Sequence, residues 1–227
     1  MHEAPAVRTG HGLTMAIQRV LATAVCALVL VPGAAGAHQA ASPLAGVPQQ
    51  GLWLGRPHAG LTLVEYVDVQ CPFCGRFARE VFPQVVRRYV RTGRVRILFR
   101  GLAFVGPDSL TGLRWVVAAG RQNRLWNMLE GLYAHQGAEN SGWITTSRLA
   151  AVARRVPGLH AVRLRRDSMS AGVTAQIRAA AAAAHAAGVP GTPYFEAGRS
   201  LSSLAPLKLT SFDPRDFTPQ LDALLKQ

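Results

Sequence analysis

Cysteine is scarce in this 227-residue sequence, with only Cys26, Cys71 and Cys74. So few cannot form the disulfide-dense scaffold with which small secreted domains replace a core. No second pair accompanies Cys71 and Cys74, so the pattern of a four-cysteine zinc site is absent. Gly75 rather than histidine follows Cys74, which excludes c-type haem attachment. Lysine is nearly missing: Lys208 and Lys226 are the only two, yet Lys+Arg number 25 against 12 Asp+Glu, a formal net charge of +13. The excess is arginine, read as a solvated basic surface, with an anionic membrane surface or wall polymer as the partner it suits. Nucleic acid is not expected, because no recognised binding module is visible. Long apolar runs are also lacking beyond residue 31, so no further membrane span is expected.

What is present begins at the N-terminus. Arg19 precedes the apolar run Val20 to Val31, Pro32 and Gly33 break it, and Ala35-Gly36-Ala37 offers the small residues that a signal peptidase reads. That order describes an export signal over residues 1–37. Met15 is an alternative start, and retention of the segment as a membrane anchor is the competing reading. Val25 ahead of Cys26 does not suit a lipoprotein, so Cys26 reads as an apolar filler within the signal. Hydrophobic content of 49% and the remaining length suit one well-buried core with an insertion, or two small domains.

Export makes a structural disulfide possible, but Cys71 and Cys74 enclose only two residues, and so small a loop removes little chain entropy. A close pair at a strand-to-helix junction points to redox chemistry instead. Residues 38–51 read as a flexible leader, and Leu52 to Leu54 as a short edge strand. Leu61 to Val69 is an apolar run interrupted by Glu65 and Asp68, the pattern of a central strand covered on both faces. Pro72 suits the first position of a helix. That helix carries Phe73, Phe77 and Val81, kinks at Pro83, runs on to Val90 and stops at Gly93. Arg94 to Arg100 alternates as a second, parallel strand, completing a β-α-β unit in residues 52–108.

Residues 109–187 show no strand. Helical patterns cover Leu113–Gln122, Leu125–Ala134, Thr146–Arg155 and Ala161–Ala187, the last with at least one interruption, so this block reads as an all-helical insertion. The chain returns in residues 188–227. Gly188 closes the alanine-rich helix, Pro190 and Pro193 bracket a turn, and Tyr194 to Glu196 forms a strand with a hairpin at Gly198-Arg199. Leu201 to Leu204 is its expected partner, and Asp216 or Thr218 starts a final helix. The whole is an α/β fold around a mixed sheet.

Cys71-Pro72-Phe73-Cys74 at a strand-to-helix junction, then helices, then Gly188 to Pro193 before a strand, resembles the DsbA-like thiol-disulfide oxidoreductases of the thioredoxin superfamily. The type common in Gram-positive and actinobacterial envelopes is most similar, and the likeness runs from about Leu52 to the C-terminus, including Arg87 to Arg100. The resemblance implies a thioredoxin fold with an inserted all-helical subdomain, and a cis peptide bond before Pro193. Cys71, at a helix N-terminus that favours negative charge, becomes the exposed nucleophile and Cys74 the resolving thiol. Glu65 matches the family's buried acid beneath the second cysteine, where it exchanges protons with Cys74 through a water; the competing reading is a solvent-facing carboxylate.

Phe73 stands where the best-known relatives carry histidine. It cannot stabilise a thiolate electrostatically, and reads either as an apolar substrate contact or as packing. Thr192, ahead of Pro193, would offer a free backbone N–H and C=O to an extended substrate. Asp68 reads as structural, and His185 as a solvated helix-end residue. No cofactor is implied. The implied partners are reduced exported proteins and a quinone-linked membrane reoxidase of the DsbB or VKOR type, outside the cytoplasm. A dithiol oxidase is the reading that family and export favour. A reductase or isomerase, a Cu(I)-handling protein and a non-catalytic envelope binding module stay open beside it.

Overall fold

The computed structural model describes residues 42–227. The export signal of residues 1–37, with Met15 and Cys26, lies outside the described residues. Strand β3 (Leu61–Val67) is buried along its whole length, as an apolar run in the middle of a two-sided sheet must be. It pairs in parallel with β4 (Val95–Gly101) and antiparallel with β5 (Tyr194–Gly198). Two-residue strands complete the six-stranded order β1-β2-β4-β3-β5-β6: β1 (Gln49–Gln50), β2 (Trp53–Leu54) and β6 (Ala205–Pro206).

Three expectations need correction. The segment read as a flexible leader is packed from residue 42 onward. Leu44 and Val47 are buried at 3% and 7% exposure, and β1 pairs with β2 through a turn at Gly51, whose φ is 58°. Two apolar side chains three apart were enough to dock it, without any period for a sequence reading to find. The partner of β5 is β6, not Leu201 to Leu204; residues 199–203 are instead consumed in the turn, where Ser200 and Ser203 bond to each other. The last helix, α8 (Pro214–Lys226), starts earlier than Asp216, because Asp213 accepts from Arg215 N as its N-cap. Asp216 is occupied in holding the N–H groups of Thr210 and Ser211.

After β3 the chain forms α1 (Pro72–Glu80), α2 (Phe82–Val85) and a π-helical turn over Val86–Val90. The hydrogen-bond chain crosses the joint, since Val81 N donates to Phe77 O and Val85 N to Val81 O. Pro83 supplies no N–H there, so the path bends without ending. The insertion comprises α3 (Pro107–Gly120), α4 (Leu125–Tyr133), α5 (Thr146–Arg155), α6 (Ala161–Ser168) and α7 (Ala171–Ala186). Helix α3 begins six residues before its apolar pattern, on Pro107 and Asp108, a suitable opening pair. The interruption within the last helical pattern falls at Ser170, which caps α7 by accepting from Val173 N.

Phe77, Phe195 and Phe217 lie with ring centroids 4.5 to 5.2 Å apart, clamping α1 and α8 onto β5. Phe82 stacks on Trp126 at 5.6 Å, joining α2 to the insertion. A smaller cluster of Val64, Tyr66, Leu98 and Leu102 receives Ala184 of α7 on the other face of the sheet. Among the described residues, no helix is long and apolar enough to cross a membrane.

Candidate active site at the Cys71–Cys74 turn

Beyond β3 the chain turns through Asp68, Val69 and Gln70 before α1, and buried hydrogen bonds fix this turn. Both Asp68 carboxylate oxygens are used: Oδ1 accepts from Gln70 N and the Ser109 hydroxyl, Oδ2 from the N–H groups of Phe104 and Val105. The Tyr133 hydroxyl donates to the Asp68 carbonyl at 3.0 Å. Asp68 is therefore structural, tying the end of β3 to the start of the insertion.

Cys71 occupies the N-cap position of α1, and its Sγ accepts from Cys74 N at 3.4 Å. Its thiol also lies 3.1 Å from the Thr192 carbonyl oxygen, to which it donates. This corrects two expectations. Thr192 C=O is engaged rather than free, and Cys71 is 4% exposed rather than open, because the loop before β5 packs over the sulfur. Hydrogen bonding from the Cys74 thiol draws the Cys71 pKa down to about 6. Burial opposes this, while the Thr192 side chain and the N–H groups of Cys74 and Phe73 assist it. Cys74 is 1% exposed, and burial, followed by its neighbour Cys71, pushes its thiol well up. One sulfur is thus built to ionise and the other to keep its proton.

Glu65 is 3% exposed, with Phe99 of β4 and Phe195 of β5 as its register partners. Among the described residues its Oε2 has no hydrogen-bond partner, and burial raises its pKa to about 8. It also lines a cavity of about 360 Å³ whose walls include Ala78, Phe82, Trp126, Leu129 and Tyr133. The Thr192–Pro193 bond is cis. Phe73 projects beside the cysteines, 56% exposed, its ring 6.2 Å from that of Phe212. His185 is exposed on α7.

Sequence reasoning missed Gln136. Its Nε2 donates to the carbonyls of Val69 and Cys71 at 3.2 and 3.0 Å. A polar residue just past a helix gives no local signal of such a contact 65 residues away. Among the described residues, no group of three or more His, Cys, Asp or Glu side chains is placed to hold a metal ion.

A mixed sheet with a Cys-x-x-C helix start facing a cis-proline loop belongs to a recognisable class. A family model described as thioredoxin matches residues 48–201, and the chain belongs to that family as a DsbA-like member of the thioredoxin superfamily. Among curated proteins, it is 26% identical over 147 residues to the "Probable disulfide bond formation protein D" of Bacillus anthracis, covering 62% of this chain and 66% of that protein. Across the Bacillus proteins of this name, the match spans 46% to 66% of their length. Among solved structures, oxidised BdbD from Bacillus subtilis superposes with a TM-score of 0.68 at 19% identity, covering 80% of this chain and 98% of that one. A thioredoxin-like oxidoreductase from Silicibacter pomeroyi DSS-3 gives 0.61 at 27% identity, covering 80% and 93%.

Proposed function

We propose that the protein is an exported thiol-disulfide oxidoreductase, acting as a dithiol oxidase on reduced proteins outside the cytoplasm. The observation that carries this reading is the placement of Cys71 as N-cap of α1, its sulfur between Cys74 N and the Thr192 carbonyl of the cis-proline loop. That arrangement draws the Cys71 thiol down, while burial pushes Cys74 up. In the oxidised enzyme a substrate thiolate attacks Cys71 Sγ. The Cys71–Cys74 bond breaks, a substrate–Cys71 disulfide forms, and Cys74 leaves with the electron pair. In this reading Glu65, buried and holding its proton up to about pH 8, is the acid that supplies a proton to Cys74 through a water; its burial and raised pKa support that role. A second substrate thiolate then attacks the substrate sulfur of the mixed disulfide and releases Cys71 as a thiolate. Two electrons have passed to the enzyme and the substrate holds a disulfide. A stabilised Cys71 thiolate is a good leaving group, which favours this direction.

Reoxidation falls to a quinone-linked membrane protein of the DsbB or VKOR type. The basic surface, at a formal net charge of +13, suits work close to anionic lipid. Phe73 and the backbone at Thr192 and Pro193 form the substrate-binding face. A reductase or isomerase is the second reading, because Phe73 contributes no positive charge or polar side chain to the thiolate.

The deciding experiment is the reduction potential of the pair against glutathione, with Cys71→Ser as control. A value near −120 mV, about that of DsbA itself, supports the oxidase. One near −270 mV, about that of thioredoxin, overturns it. Mass spectrometry of the native protein tests export: an N-terminus at His38 supports cleavage, and an intact N-terminus points to an anchor.

A further inference from the structure

The helical insertion does more than cover the sheet. The segment after α4 and the turn before α1 are stitched together in both directions. From the insertion, Gln136 Nε2 donates to the Val69 and Cys71 carbonyls. From the turn, Gln70 Nε2 donates to Asn140 Oδ1, and Gln70 Oε1 accepts from Asn140 N. The Cys71 carbonyl also receives the Gly75 N–H at 3.1 Å, the bond that closes the first turn of α1. Gln136 therefore touches the same oxygen that sets the pitch of that turn.

Gly75 shows how closely the amide is seated. A Cβ added there would meet Gln136 Oε1 at 2.1 Å, the Arg79 guanidinium at 2.9 Å and Gln136 Cδ at 3.0 Å. Helical conformation does not require glycine at this position, and alanine is the better helix former. At Gly75 the space a methyl would take is filled first by the Gln136 amide.

We infer that Gln136 is a positioning residue for Cys71: seated against Gly75, it holds the Cys71 carbonyl and aligns the N–H groups of the first turn on the sulfur. This rests on Cys71 being the nucleophile of the proposed reaction. Loss of the amide lets the turn relax, and the Cys74 N–H, already at 3.4 Å, retreats from Sγ. The thiolate is then less stabilised. Sequence spacing cannot disclose this contact, because it exists only once the insertion has docked.

The test is a double-mutant cycle on the reduced protein, reading Cys71 ionisation by thiolate absorbance at 240 nm and by its alkylation rate across pH. Gln136→Ala is expected to raise the Cys71 pKa by about 0.5–1 unit, the equivalent of one modest hydrogen bond. Gln136→Glu, nearly isosteric, sets an acceptor against two carbonyls and is expected to raise it further. Gly75→Ala alone should mimic Gln136→Ala by expelling the amide. In the Gln136→Ala background it should add nothing, and should raise Tm there while lowering it in the parent. An unchanged Cys71 pKa in both Gln136 variants, or additive effects of Gly75→Ala and Gln136→Ala, overturns the inference. Both readouts use no substrate. Failure of the oxidase assignment would appear in the potential instead, so the two outcomes are separable.

Discussion

Cys71 Sγ lies 3.1 Å from the carbonyl oxygen of Thr192, across 121 residues of chain. A thiol donates to that oxygen, and a thiolate cannot. Ionisation of Cys71, or its conversion to a disulfide, therefore leaves the carbonyl with a vacant lone pair at the sulfur's edge. In the proposed reaction that acceptor becomes available to a substrate N–H when the nucleophile is ionised or oxidised.

Thr192→Val keeps the carbonyl and removes the hydroxyl, so it is expected to raise the Cys71 pKa above its value of about 6. Cys74→Ala removes the largest contributor and should raise it more. Absorbance titration of both variants checks the order. A larger rise for Thr192→Val would contradict the assignment of causes.

Glu65 gives a stability signature of opposite sign to that of Cys71. In the folded protein its carboxyl holds its proton up to about pH 8, and in the unfolded chain it loses it near 4.5. The folded state binds more protons between those values, so this contribution to stability falls as pH rises through the window. At about 1.4 kcal/mol per pH unit, the loss by pH 7 is on the order of 3 kcal/mol. Glu65→Gln should flatten the curve over this range and raise stability at pH 7 to 8, as urea unfolding of the reduced protein would show. The depressed Cys71 thiol acts the other way: its contribution is full above pH 9 and is lost as pH falls through about 6.

Phe73→His introduces a donor between the cysteines. It is expected to lower the Cys71 pKa and raise the reduction potential, measured against glutathione. Phe73→Ala should leave the fold nearly unchanged, since the side chain is 56% exposed. Its expected effect is a higher KM for peptide thiols flanked by apolar residues.

Phe217→Ala opens the triple aromatic contact that fastens α8 and α1 to β5. A buried phenylalanine reduced to alanine costs about 3–5 kcal/mol. Denaturant unfolding should register that loss. Because β5 begins two residues after Thr192, a higher Cys71 pKa should accompany it.

The parts legible in the sequence were those whose signal is local. The run from Leu61 into Pro72 announces a buried strand feeding a helix, and the apolar period of Thr146–Arg155 marks α5 to the residue. Strand β1 and the packing of Leu44 were hidden, because a docked segment of irregular backbone has no period. Strand β6, with its exposed alanine and proline, carries no strand propensity and exists because β5 offers it an edge. Within the site, Cys71, Cys74 and Glu65 could be named from one contiguous stretch. Gln136 and the engaged carbonyl of Thr192 could not, since each acts through an atom brought in from another part of the fold.

Strand β5 pairs with β3 across the whole intervening insertion, so the site is assembled from the two ends of the fold. A chain that has emerged as far as residue 108 already carries both cysteines and Glu65, yet Thr192, Pro193 and Gln136 are still to come. The Cys74 and Phe73 groups that draw Cys71 down belong to the first turn of α1, and the Thr192 contribution joins them when the last strand docks. The strand that closes the sheet is thus also the one that completes the site.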